Sequence, residues 1–476
     1  TGSLEPGIIL AGAGTGKTTT MAARISWLVA TGMVDPEKIL GLTFTNKAAA
    51  ELSQRVRSMR RPAIEHLTGK VDDSDLGEPA IMTYNSFGAR LLKEHGLRVG
   101  IEPDARVVVD VTRHQLAMRV ITRTDVPLAG LGFNNLTDTV EALLELDEQC
   151  SNYLVHPLKV IEFDQDLLKK LEVVPRRQQL TEEMEQASKK RIALAQLVQE
   201  FRESKRLQGI IDYSDQIRIA AEAAESSPDM CAVLKDQFQV VLLDEYQDTS
   251  VSQKRLLKAL FGAAHPVLAV GDPCQAIYGW RGAEVANIEN FGEDFPRSDG
   301  SRAHQYKLEK NRRSGQNILN TANTMSDSLR EIHREIVQLA AADSDVFPGE
   351  VYAAVHETFK EEVEWVCEKI ELQAKTHPLK DIAILLRQKK YGPDFVEALE
   401  IRGIPVQVAD PEILVELPEV RDVLCYLELM VDPTANTSLI RLLAGAKWRV
   451  GARDLAILGN HARLLVNDDY ESEKHL

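Results

Sequence analysis

The chain has 476 residues, 44% of them hydrophobic and 27% charged, with a net charge of −16. That length exceeds a single hydrophobic core and predicts two to four domains of ordinary globular composition, with no apolar run long enough to span a bilayer and no secretory signal ahead of the first strand. The acidic balance excludes a wholesale basic nucleic-acid binder but leaves room for a basic groove on an acidic body, and five scattered cysteines (Cys150, Cys231, Cys274, Cys367, Cys425) without metal or framework spacing predict reduced thiols in a cytosolic compartment.

The first predicted element is a short buried strand, Ile8–Leu10. It breaks into Gly12-Ala13-Gly14-Thr15-Gly16-Lys17-Thr18-Thr19 and resumes as a helix with Met21, Ile25, Leu28 and Val29 at helical spacing. A strand, a glycine-rich turn, Lys-Thr and a helix aim backbone N–H groups and a helix N-terminus at a phosphate chain. Ala11 stands where the strict pattern has its first glycine, while Gly12, Gly14 and Gly16 keep side chains clear of the phosphates. Lys17 is expected to reach the β- and γ-phosphates and Thr18 to ligate Mg²⁺.

A second strand from Ile39 ends in Phe44-Thr45-Asn46-Lys47, and Thr83-Tyr84-Asn85-Ser86 follows further on. Residues 86–206 read as largely helical, with a polar break near Asn134-Asn135. Val140–Leu146 and Met184–Phe201 are good helix formers without proline. Val240–Leu243 is apolar on both faces, which suits the centre of a parallel sheet. It ends in Asp244, expected to hold the metal, and Glu245, expected to orient or deprotonate an attacking water. With the glycine turn, this pair predicts a nucleoside-triphosphate hydrolysis site. The strand Val267–Val270 leads into Gly271-Asp272-Pro273-Cys274-Gln275 and on to Tyr278-Gly279-Trp280-Arg281; Asn311-Arg312-Arg313-Ser314 comes next. Further strands are expected at Val351–Val355, Ile382–Leu386 and Ile404–Val408, before Pro411 and Pro418 mark a shift to helix.

In this order and spacing, from about residue 8 to about 460, these segments resemble the superfamily 1A DNA helicases of the UvrD, PcrA and Rep type. Met21-Ala-Ala-Arg-Ile25, Asp272-Pro-Cys-Gln275 and Asn311-Arg-Arg-Ser314 look most like the actinobacterial UvrD-like and AdnB-like members. The resemblance implies an α/β fold of two RecA-like phosphate-loop lobes, parallel sheets flanked by helices, each lobe carrying a helical insertion. Lobe 1A would use 1–85 and 207–300, insertion 1B 86–206, the first part of lobe 2A 301–409, and the start of insertion 2B 410–476. ATP and Mg²⁺ would sit between the lobes. The implied activity is ATP-dependent 3′→5′ translocation along single-stranded DNA and unwinding at single/double-strand junctions, in DNA repair or recombination. It also implies a cytoplasmic, nucleoid-associated protein with repair or nuclease partners and no membrane.

Matching residue by residue, Gln275 would sense the γ-phosphate and Arg313 would be an arginine finger, completing a catalytic set with Lys17, Asp244 and Glu245. The turn from Gly12 through Ala13, Gly14, Thr15, Gly16, Lys17 and Thr18 to Thr19, with Arg312, would hold the nucleotide. Arg312 stands where many relatives stack a tyrosine on the base, and Thr19 where many carry an arginine. On the DNA side, Phe44, Tyr213, Tyr278 and Trp280 would stack on bases. Thr45, Asn46, Thr83, Ser86 and Arg281 would contact the strand, and Asn85 replaces a common histidine. Core packing is the competing reading for Phe44 and Tyr213. No match is found to the adenine-reading glutamine motif or to the motifs that follow insertion 2B. The C-terminal part therefore reads as incomplete, and the chain is expected to belong to a longer protein. Two other readings are a helicase subunit of a helicase–nuclease complex and an ATP-dependent DNA-binding switch without unwinding. Gln275 and Arg313 speak against the switch.

Overall fold

The computed structural model describes residues 4–68, 77–102, 105–108, 110–128, 132–133, 135–173, 179–262, 264–333, 335–342, 348–408 and 417–473. They group into two compact units, Thr1–Val351 and Tyr352–Leu476.

The strands of the first unit include β1 (Gly7–Ala11), β2 (Ile39–Thr43), β3 (Ala80–Thr83), β4 (Arg106–Val107), β5 (Ile210–Ile211), β6 (Val240–Leu243), β7 (Val267–Gly271) and β8 (His304–Leu308), with the short pair Lys310–Asn311 and Ala340–Ala341 beyond them. Six of them form one parallel sheet in the order β3-β2-β6-β7-β1-β8. All of β1, β2 and β6 is buried, as their unbroken apolar runs require of central parallel strands. Helices Lys17–Ala30 and Asn46–Thr68 cover one face, setting Met21, Ile25, Leu52 and Val56 against Ile9, Ile39 and Leu242. On the other face, Phe87, Leu91, Ala220 and Leu256 pack with Leu40, Leu42, Val241 and Leu243.

Phe87 and Leu91 belong to helix Tyr84–His95, so this helix is part of the first lobe's core. The insertion expected from residue 86 begins later: it leaves at β4 and returns at β5, which pair with each other in parallel. Between them, helices Asp110–Arg123, Leu136–Asn152, Pro157–Glu172 and Gln179–Leu207 carry a separate core that includes Leu116, Leu143, Leu197 and Phe201. Asn135 caps helix Leu136–Asn152 by accepting the Asp138 N–H at 2.8 Å; Asn134 lies outside the described residues.

A buried charge network joins the insertion to the sheet unit. Lys205, 3% exposed, bonds Asp147 at 3.0 Å, Asp212 at 2.9 Å and Asp215 at 2.7 Å. Arg202 meets Asp147 at 2.6 Å, Arg113 meets Asp212 at 3.2 Å, and Arg218 meets Asp215 at 2.8 Å. Asp212 and Asp215 also form the capping box of helix Tyr213–Ser226, so its N-terminus is set from the insertion side.

Residue 301, expected to open the second lobe, is not a break in the fold. Just beyond it β8 pairs with β1 from Gly7↔His304 to Ala11↔Leu308, covering the edge β1 would otherwise expose. The compact unit therefore continues to Val351. In the second unit, helices Phe359–Gln373 and Gly392–Ile401 bury Val363, Cys367, Phe395 and Leu399. The strands expected at Val351–Val355, Ile382–Leu386 and Ile404–Val408 form neither helix nor ladder among the described residues. Ile382, Ile384 and Ile404 lean on the helix pair, so side-chain burial rather than backbone pairing holds two of these segments. Pro418 opens helix Pro418–Val431, as expected, and Pro411 lies outside the described residues. No helix among the described residues is long and apolar enough to cross a membrane.

Candidate functional site

In a parallel sheet every strand points its carboxyl end to the same edge, where ligands of open α/β sheets bind. The turns after β1, β2, β3, β6 and β7 therefore share one rim. The expected nucleotide residues follow β1, β6 and β7; the expected DNA residues follow β2 and β3 and continue beyond β7.

After β1 the turn needs glycine twice. Gly14 and Gly16 have φ of 73° and 98°, a left-handed backbone that costs glycine little. Gly12 packs closely under the Leu339 side chain, which would have to shift for any Cβ there. Thr15 Oγ1 donates to Gly12 O at 2.8 Å and Thr20 Oγ1 to Gly16 O at 3.0 Å, closing the turn onto helix Lys17–Ala30. Lys17 Nζ then reaches Glu245 Oε2 at 2.9 Å. Thr19, where the resemblance has an arginine, accepts from the Arg55 guanidinium at 2.6 Å, so the neighbouring helix brings a cation to this turn.

After β6, Asp244 is 3% exposed, and burial followed by the adjacent Glu245 charge pushes its carboxyl up to about 6. Glu245 itself sits at φ 46°, ψ 46°, a left-handed conformation costing a non-glycine residue roughly 1 kcal/mol. Besides Lys17, two contacts hold it: its N–H donates to Asp244 Oδ1 at 3.0 Å, and Gln247 Nε2 donates to its Oε2 at 2.9 Å. Asp248 is likewise raised to about 6 by burial and by Glu245. After β7, Asp272 N–H donates to Gln247 Oε1 at 3.1 Å, and Gln275 Nε2 donates to Asp272 Oδ2 at 2.7 Å. A side-chain relay thus runs from Lys17 through Glu245 and Gln247 to the Asp272–Gln275 turn.

Arg312 and Arg313 are exposed and come to the same place from just beyond β8, through the short paired segment Lys310–Asn311. The Arg312 N–H donates to Gly14 O at 2.9 Å, and a Cβ on Gly14 would meet Arg313 Cβ at 2.8 Å. The structure therefore gathers Lys17, Glu245 and the stem of Arg313 around the glycine turn. Gln247 and Asn311 were not singled out by sequence. Both are neutral amides in irregular segments, and only their adjacency to motif residues pointed to them.

The other half of the rim is aromatic. Phe44 and Tyr278 have ring centroids 4.7 Å apart, Tyr278 and Trp280 6.3 Å, and the Arg281 guanidinium lies 4.6 Å from the Trp280 ring centroid. A cavity of about 450 Å³ is lined by Phe44, Asn85, Tyr213, Trp280 and Arg281 among others. Trp280 is 74% and Tyr213 57% exposed, so Tyr213 does not serve as core. Thr45, Thr83 and Ser86 are engaged locally: Thr45 Oγ1 accepts from Ala48 N–H, and Thr83 Oγ1 caps Ser86 N–H, both at 3.1 Å. Asn46 is the exposed first residue of its helix. Tyr84 Oη donates to Asp244 O at 3.2 Å, tying the two halves of the rim together.

A family model described as the UvrD/REP helicase N-terminal domain matches residues 3–296, and one described as the UvrD-like helicase C-terminal domain matches residues 306–474. The chain is 28% identical over 457 residues to DNA helicase II of Haemophilus influenzae, covering 96% of this chain and 56% of that protein. It is 27% identical over 462 residues to ATP-dependent DNA helicase PcrA of Leuconostoc citreum, covering 97% and 55%. DNA helicase II of Escherichia coli is 27% identical over 457 residues, with 96% and 56% covered. The chain spans about half the length of the curated relatives it matches.

Proposed function

Since this chain belongs to the UvrD/REP helicase family, we propose that it hydrolyses ATP to drive 3′→5′ movement along single-stranded DNA, within a protein that unwinds DNA during repair or recombination. The observation that carries this reading is the continuity of the rim. The glycine turn, Asp244 and Glu245 lie at the same edge of the sheet as the cavity lined by Phe44, Tyr213 and Trp280, and the segment from Asp272 to Arg281 runs from one to the other.

Each residue has a role in this scheme. The glycine turn and Lys17 bind the phosphates; Glu245 positions and deprotonates the attacking water; Arg313 stabilises charge on the transferred phosphoryl group. Thr18 and Asp244 would hold Mg²⁺, which supplies charge neutralisation at the phosphate oxygens. A hydroxyl and one carboxylate suit that ion, which keeps water and phosphate as its remaining ligands. Lys17 Nζ bonds Glu245 Oε2 at 2.9 Å, so a phosphate that takes Lys17 as its partner exchanges one anionic partner for another and frees the carboxylate for water. Gln275 leaves Asp272 to follow the γ-phosphate, moving the segment that carries Tyr278 and Trp280. The exposed rings then grip and release bases without reading sequence.

Phosphate release with and without single-stranded DNA, at low and moderate salt, tests the reading. Strong stimulation by DNA, abolished in Glu245→Gln, is expected, and duplexes with 3′ or 5′ single-stranded tails then assign polarity. Hydrolysis indifferent to DNA would overturn the motor reading.

A further inference from the structure

Asn311 is 2% exposed and stands at the junction of two loops that the proposed reaction needs together. Its Oδ1 accepts the N–H of Arg313 and of Ser314, each at 2.8 Å, which uses both lone pairs. Its Nδ2 donates to Ala13 O inside the phosphate loop at 2.5 Å. The backbone beside it repeats the contact, Arg312 N–H to Gly14 O at 2.9 Å. Asn311 is fixed from behind as well: Lys310–Asn311 pairs with Ala340–Ala341, and the Ala342 N–H donates to Asn311 O at 2.7 Å. A Cβ on Gly14 would come within 2.6 Å of Asn311 Nδ2, so the glycine makes room for this amide as well as supplying its positive φ.

Carbonyl and N–H of one trans peptide point in opposite directions. Holding Ala13 O and Gly14 O toward Asn311 and Arg312 therefore turns the N–H groups of Gly14 and Thr15 the other way. Thr15 N–H indeed meets Gly12 O at 3.3 Å inside the turn. The same amide sets the start of the Arg313 backbone. The Asn311 side chain thus orients the Ala13–Gly14 peptide and the start of the Arg313 backbone, while the Arg312 N–H orients the Gly14–Thr15 peptide.

We propose that Asn311 is a positioning residue that fixes the phosphate loop in its anion-binding orientation and holds Arg313 over it. This rests on the nucleotide-hydrolysis reading, but half of it concerns binding alone. Asn311→Asp keeps the acceptor for Arg313 and Ser314 while losing the donor to Ala13 O and facing that carbonyl with a carboxylate. It is expected to weaken ADP binding by tenfold or more and raise the KM for ATP, with kcat within about threefold of the unmodified protein. Asn311→Ala loses both sides, so KM rises and kcat falls.

The test is a cycle of Asn311→Ala, Arg313→Ala and the double variant, read as kcat and KM for DNA-stimulated ATP hydrolysis, with ADP binding measured by calorimetry. If Asn311 acts through Arg313, its kcat loss largely disappears in the Arg313→Ala background, while its binding loss persists. Losses in kcat that multiply in full, or an Asn311→Asp protein that binds ADP like the unmodified one, overturn the proposal. Should Asn311→Ala fail to fold by thermal unfolding, the near-isosteric Asn311→Asp decides the binding half and its kcat–KM split decides the rest. A full-length protein that binds ADP but hydrolyses no ATP sinks the motor reading, and ADP binding by Asn311→Asp still judges the amide.

Discussion

At one end of the rim Asp244, Gln247 and Asn311 are 3%, 1% and 2% exposed; at the other, Tyr213 and Trp280 are 57% and 74% exposed. The first group is locked by hydrogen bonds to fixed partners, while in the second Trp280 is held by a ring contact and one guanidinium. The contrast suits the two tasks proposed for the rim. Phosphoryl transfer gains from donors and carboxylates that are already oriented and shielded from water. Holding any base in passing needs flat apolar faces that are open to solvent until the base arrives.

The most severe way to separate the two ends is Glu245→Gln. Removing the base is expected to cut ATP turnover about 10³-fold while single-stranded DNA binding, followed by fluorescence anisotropy, stays near its original value. Equal loss of both would mean the ends are not distinct. Next, Lys205→Ala leaves Asp147, Asp212 and Asp215 without their shared cation and is expected to cost roughly 3 kcal/mol in denaturant unfolding. If it costs under about 1 kcal/mol, the network does not fix the helix that carries Tyr213. Trp280→Ala should weaken single-stranded DNA binding by about 1–2 kcal/mol and lower DNA stimulation, with basal hydrolysis retained. Wild-type stimulation in that variant would remove the tryptophan from the DNA face.

The last effect concerns the buried carboxylate and has the opposite sign. Asp244 is raised from 3.8 to about 6 in the fold, so its protonated form is favoured there. Its favourable contribution is fully present below pH 3.8 and is lost as pH rises through about 6. Asp244→Asn is therefore expected to stabilise the nucleotide-free protein at pH 8 by about 2 kcal/mol, with the gain vanishing toward pH 4, while hydrolysis is lost. Urea unfolding at the two pH values checks the sign. Mg²⁺-dependent nucleotide binding should likewise weaken as pH falls through 6, because the ion needs the carboxylate.

The parts of the molecule legible in sequence are those in which chemistry constrains residue type and local spacing together. Glycines before Lys17-Thr18, and two carboxylates after an all-apolar strand, are nearly sufficient to locate the nucleotide end. Trp280 was legible for a different reason: flanked by Gly279 and Arg281, it has no apolar periodicity to join. Lys205, Asp147 and Asp215 were not legible, because on helical segments each reads as an ordinary solvent-facing charge until the helices are brought together. Gln247 and Asn311 carry no charge or hydrophobic pattern at all. Their importance lies in bonds to Asp272 N–H and Ala13 O, residues distant in sequence. The misplaced edges have the same origin. Phe87 and Leu91 give helix Tyr84–His95 an apolar face, but sequence does not say which core receives it. Strand β8 is mostly exposed, and its partner β1 lies nearly three hundred residues earlier.

The paired strands at the base of the insertion bear on how such a protein is rebuilt over evolutionary time or at the bench. Arg106–Val107 and Ile210–Ile211 lie side by side, so the chain crosses between the two bodies at a single narrow place. Topologically, everything between them is a cassette whose two ends a short linker spans. Electrostatically it is not. Excising the cassette takes away Arg113 and Lys205 and leaves Asp212 with neither of its cationic partners, at the helix start it caps. A graft of a foreign insertion must therefore carry a cation to that spot or arrive together with a neutral residue in place of Asp212.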